Sequence, residues 1–251
     1  MTDTPSFPGL LDLIAERSAA FREAVAAADD LAARVPGCPD WSLRDLVAHL
    51  GAVQRFWAVV VAAGPADAPP SAEAIGDQTP HGDLVEWLAE STRLLLAALR
   101  AADPELGCWA WWAASGAPMT VAAVARHQVQ EAAVHAYDAQ ETIGKPEPLP
   151  ASVAVDGVPE FLEVGLGSMG TWPHRPARIA MSAVEGPTWV LDLTPSGART
   201  DPAAGGEPLV TLRGPASDLV LACYGRIPLD RLLVDGDRAT AEALFAWTKT
   251  G

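Results

Sequence analysis

Four long stretches of helical periodicity fill the first 145 residues of this chain, and only short elements can be read after them. Leu10, Leu13, Ile14, Phe21, Val25 and Leu31 recur at three- and four-residue steps, which predicts one amphipathic helix over 9–35 that Pro36-Gly37 ends. Ser42, with Asp45 three residues on, is a capping-box-like start for a second helix running to about Ala63. Residues 64–82, rich in Pro and Gly, read as a long loop. Leu84, Trp87, Leu88, Leu94, Leu95 and Leu99 mark a third helix; Val121, Val124 and Val134 mark a fourth, stopped near Gly144-Lys145-Pro146. Helices with one apolar side bury it against each other, so a four-helix bundle is expected. Beyond Pro146 the pattern shortens to a helix over 151–164, β-type runs at 177–183, 189–193 and 209–212, a helix over 218–224, a strand near 232–234 and a helix over 238–248. The expected fold class is therefore α+β. It comprises a helical domain over 1–145 and a smaller α+β domain over 146–251, divided in the loop 144–150.

Composition narrows the partners. A net charge of -15 and a pI near 4.6 leave no basic stripe for a field of phosphates, which argues against nucleic acid. Residues 1–9 lack a basic region leading into an apolar run, and the longest apolar run, 56–64, is too short for a bilayer. A cytoplasmic protein without a membrane partner is expected, as a monomer or a small homo-oligomer. Cys38, Cys108 and Cys223 are odd in number and far apart, which suits reduced thiols; none forms a CxxC pair.

Chemistry concentrates on the second and fourth helices. Glu131 and His135, four apart, share a helix face. His49 lies among Leu46, Leu50, Val53 and Phe56, on a face that must point inward. A carboxylate and two imidazoles can hold a divalent metal and leave one position open, which suits catalysis rather than scaffolding. Such a set accepts zinc, iron, nickel or manganese. The alternative is an ordinary helix-surface pair beside a core histidine. His127 competes as a ligand one turn before Glu131, and Asp138 is placed to hold the His135 ring from behind. His81 and His174 fall in loops and read as solvated, and Asp45 as a cap. Trp109, Trp111 and Trp112 suit either an apolar pocket wall or core packing.

Two segments carry a family resemblance. Val35-Pro36-Gly37-Cys38-Pro39-Asp40-Trp41-Ser42-Leu43-Arg44-Asp45-Leu46-Val47-Ala48-His49-Leu50, followed by 126–138 with its Glu131-x-x-x-His135, resembles the mycothiol-dependent maleylpyruvate isomerase family. That family belongs to the DinB/YfiT-like metal-binding four-helix bundles. Residues 212–219 and 234–238 resemble its C-terminal module, which is related to sterol carrier proteins. The resemblance implies a divalent metal, zinc foremost, on His49, Glu131 and His135. Many members carry His just before that Glu, where this chain has Gln130. It also implies a C-terminal Arg that assists catalysis; Arg226 is the counterpart, as a clamp for a substrate carboxylate or, alternatively, a helix-end cation near the C-terminal carbonyls, and Arg238 is the rival.

The function so implied is an enzyme, with mycothiol as thiol cofactor and a small electrophile as substrate. Metal coordination would supply thiolate at neutral pH, which adds next to a carbonyl. Departure of the thiolate after bond rotation gives cis-trans isomerisation, and its retention gives S-transfer. Asp138 would orient the metal site. A non-catalytic metal-stabilised binding protein and a metal-dependent hydrolase are the alternatives, the former favoured by a fourth ligand such as His127.

Overall fold

The computed structural model describes residues 4–200 and 206–248. In chain order they form α1 (Phe7–Ala26), β1 (Arg34–Val35), β2 (Cys38–Ser42), α2 (Leu43–Ala63), α3 (Ala72–Ile75), α4 (Leu84–Ala101), α5 (Val121–Thr142), α6 (Ala151–Glu160), β3 (Ala177–Ala183), β4 (Thr188–Thr194), β5 (Gly197–Thr200), β6 (Val210–Gly214), α7 (Ala216–Cys223), β7 (Leu233–Gly236) and α8 (Arg238–Trp247). The fold class is α+β. Two compact units are built from them: one from Pro5–Ala110 and Pro118–Glu147, the other from the chain beyond Pro148 joined by Trp111–Ala117.

In the helical unit α1 packs on α4 and α5, and α2 packs on the same two helices. Each start and stop has a local cause. Ser42 accepts the Asp45 N–H while Asp45 takes the Ser42 N–H, a complete capping box at the head of α2. Asp83 caps α4, Thr120 caps α5, and Gly144 at φ 73° follows the last turn of α5.

The first helix is shorter than its periodicity predicts, ending at Ala26 instead of Val35. Asp30 accepts the Ala32 N–H through its side chain, a local bond that competes with the helix, and the chain then turns into the β1–β2 hairpin. Pro36-Gly37 is the turn of that hairpin rather than the stop of a helix.

A window of α2 averages 1.5 in hydropathy and meets the length of a bilayer span. Here it is one of four packed helices, with Leu46, Leu50, Trp57, Val60 and Val61 buried. A polar girdle crosses the unit's interior: Gln54 Nε2 donates to Ser18 and Thr92 donates to Gln54 Oε1, each at 2.9 Å. Polar groups that are hydrogen-bonded to one another avoid the cost of burial and fix the helix register.

The second unit carries a five-stranded sheet in the order β5-β4-β3-β6-β7, antiparallel except for the β3–β6 pair. Leu191 and Leu193 on β4, and Val210 and Leu212 on β6, alternate inward onto a core that includes Leu219, Val220 and Leu244. β5 escapes the sequence reading because Gly-Ala-Arg-Thr has no apolar alternation. Pairing with β4 makes it a strand. The predicted helix over 151–164 is α through Glu160 and then widens to a π turn at Phe161–Gly165, next to Pro159, whose missing N–H breaks the α ladder. Arg199 donates to the carbonyls of Gly167 and Ala114, which ties the Trp111–Ala117 segment to this unit.

Candidate metal centre

α2 and α5 meet in the helical unit, and their meeting sides carry the three residues that sequence spacing singles out. His49, Glu131 and His135 each bring one ligand atom to within 4.8 Å of the others. His49 Nε2 lies 3.6 Å from Glu131 Oε1, and His135 Nε2 lies 3.6 Å from Glu131 Oε2. Both gaps exceed the ~2.7–3.2 Å of an N–H···O hydrogen bond, so these groups converge without closing on one another. Ligands at about 2.0–2.2 Å around a tetrahedral ion stand roughly 3.4 Å apart, close to the separations seen. The donor set fits a divalent cation.

His135 is held from behind. Its Nδ1 is 2.9 Å from Asp138 Oδ2, and Asp138 is fully buried. A carboxylate at that distance keeps the proton on Nδ1, which leaves the Nε2 lone pair aimed toward Glu131. Burial pushes the Glu131 carboxyl up. Its contact with His49 and the charges of His135, His127 and His49 outweigh burial and hold it at about 2. Glu131 is thus the anionic member of the set.

His127 lies outside the cluster, its ring 6.2 Å from that of Trp57. Trp57 also stacks on Trp109 at 6.2 Å, and Phe56 stands edge-on to Trp109 at 5.9 Å. The three tryptophans grouped in the sequence are therefore divided. Trp109 joins this aromatic wall, whereas Trp111 and Trp112 belong to the other unit. His81 and His174 stay in loops, and Asp45 serves the α2 cap.

Two neighbours of the site were not singled out by spacing. Trp41 sets its ring 4.6 Å from that of His49, and Cys38 Sγ is 3.9 Å from Asp138 Oδ2. Both lie in a motif quoted for the family resemblance, where they could have been found. Gln128, one turn before Glu131, is buried, and among the described residues neither of its amide atoms has a hydrogen-bond partner. A lone Gln in a helix carries no signal of that.

The candidate arginines belong to the second unit. Arg226 donates from Nη1 to the Tyr224 carbonyl at 2.7 Å and lines a cavity of about 620 Å³ with Ile227, Leu229, Glu242 and Phe245. Arg238 is engaged by Asp230 and, at 2.9 Å, by Glu242. Its guanidinium is thus engaged by two carboxylates.

The family model of the mycothiol maleylpyruvate isomerase N-terminal domain matches residues 11–140, more than half of the chain. The chain belongs to the mycothiol maleylpyruvate isomerase family. The MDMPI C-terminal domain matches residues 152–243, so both domains of the family are represented. Two crystal structures of the mycothiol-dependent maleylpyruvate isomerase, one of them a histidine-to-alanine mutant, share the fold with TM-scores of 0.60. They are 15% and 16% identical to the chain, and the match covers 92% of it and 93% of each of them. No curated protein matches the sequence.

Proposed function

We propose that this family member is a metal- and mycothiol-dependent enzyme acting on a small electrophile, as a cis-trans isomerase or as a mycothiol S-transferase. The observation that carries the reading is the convergence of His49, Glu131 and His135 at metal-ligand separations, with Asp138 behind His135. A divalent cation, zinc by preference, would be held by these three residues and would supply a Lewis acid that lowers the pKa of a thiol.

The chain's own residues do the rest. His49 and His135 would each offer one imidazole nitrogen. Glu131 would contribute the one anionic ligand. Asp138 fixes the His135 tautomer. Phe56, Trp57 and Trp109 form an aromatic cluster in the same unit. Arg226 is assigned the carboxylate of the substrate, through a bidentate guanidinium contact.

Elemental analysis of the wild type and His135→Ala, followed by mycothiol titration of the cobalt form, tests this. About one metal per chain in the wild type, its loss in the variant and a thiol-dependent change in the cobalt spectrum are expected. A wild type that takes up no metal on reconstitution sinks the proposal. A metal-stabilised binding protein would need a closed site, with a fourth protein ligand such as His127, and metal bound without any response to thiol would favour it. Turnover without thiol would instead favour a hydrolase.

A further inference from the structure

The β1–β2 hairpin precedes α2 and supplies none of the three ligand atoms, yet two of its side chains touch the residues that do or that hold them. Cys38 opens β2; its Sγ donates to Asp138 Oδ2 at 3.9 Å, the same oxygen that His135 Nδ1 reaches at 2.9 Å. Trp41, three residues along the strand, lays its ring 4.6 Å from that of His49 and 6.3 Å from that of His135. One strand therefore braces both imidazoles, the first directly and the second through a carboxylate.

The hairpin is itself pinned. Leu43 N–H donates to the Ala33 carbonyl and Arg44 N–H to that of Leu31, each at 2.9 Å, and Arg34 reaches the Asp40 carbonyl. Val35 is fully buried, and the Ser42–Asp45 capping box fixes the joint between β2 and α2. Asp138 sits 100 residues away in sequence, on α5, so the thiol contact is a direct tie between the α2 entrance and the ligand-bearing part of α5.

We propose that Cys38, carried on this hairpin, is a positioning residue of the metal centre. Its thiol proton fixes Asp138, and Asp138 in turn fixes the tautomer and tilt of His135, while Trp41 fixes the His49 ring. The proposal rests on the metal-centre reading. Outer partners of metal-bound histidines are worth about 10–100-fold in affinity when they touch the imidazole, and one step further out the effect falls at the lower end of that range.

The test uses the full chain as wild type, Cys38→Ala and Cys38→Ser, titrated with cobalt(II) under reducing conditions, with a thermal melt of each. The expected result is a roughly tenfold weaker cobalt affinity and an altered visible spectrum for Cys38→Ala. Cys38→Ser keeps a hydroxyl donor for Asp138, so it restores the spectrum and most of the affinity. A merely structural role would lower the melting temperature without changing the cobalt spectrum. A folded Cys38→Ala with wild-type affinity and spectrum overturns the inference alone, as does a Cys38→Ser that behaves like Cys38→Ala. A wild type that binds no cobalt overturns the metal-centre reading and this inference with it.

Discussion

His135 shows how much one side chain depends on the residue behind it. Asp138 is fully buried and 2.9 Å from Nδ1, so exchanging its carboxylate for an amide keeps the size and removes the charge that orients the ring. Asp138→Asn is expected to weaken metal affinity by about 10–100-fold with the fold intact, as read by metal titration beside circular dichroism. The cysteines make a second prediction at this scale. Burial raises the Cys108 thiol and pushes Cys223 up to about 12, so neither supplies thiolate at mild pH. Cys38 is only half-buried. A thiol reagent at pH 8 is expected to label Cys38 first and to reach Cys223 only after denaturation, which peptide mapping reads directly. Rapid labelling of Cys223 in the folded protein would show that its burial is wrong.

The helices owe their positions to contacts that periodicity does not record. Gly51 on α2 is one: a Cβ built there would land on the indole of Trp87 on α4, so α2 and α4 can approach this closely only with glycine at that point. Gly51→Ala is expected to cost about 1–3 kcal/mol through overpacking, measured as a drop in the denaturation midpoint. Arg55 reinforces the same contact, 5.0 Å over the Trp87 ring, with its guanidinium bonded to Ser91 and Glu90 at 2.8 and 2.7 Å. The head of α2 is fixed by a purely local device, and Ser42→Ala is expected to cost about 1 kcal/mol by the same assay. Strand β5 illustrates the reverse. Its residues have no strand pattern of their own and extend because β4 offers a ladder from Leu191 to Thr194.

Across the whole molecule the acidic balance of -15 meets particular carboxylates whose native pKa values are depressed. Glu131 is held at about 2, and the Arg178 guanidinium, bonded at 2.7 Å, holds Asp192 below its usual value. A group depressed in the folded state adds stability above its unfolded pKa, near 4, and loses it as pH falls toward the folded value. For the metal-free protein, denaturant unfolding is expected to show lower stability at pH 3 than at pH 6. Glu131→Gln should flatten that slope, and an unchanged slope would remove Glu131 from the account.

The sequence by itself determined the α+β class, the four long helices, most of the strands and the spacing of Glu131 and His135, because periodicity and caps are properties of neighbouring residues. It overran α1, since the Asp30 turn that ends the helix is weaker as a pattern than the leucines that run toward it. Tertiary structure alone decided that His49 comes within 3.6 Å of Glu131, that Trp41 reaches His49 and Cys38 reaches Asp138, and that Gln128 is buried. Those contacts join residues up to a hundred positions apart, and only the packing of α2 on α5 fixes the distance between them.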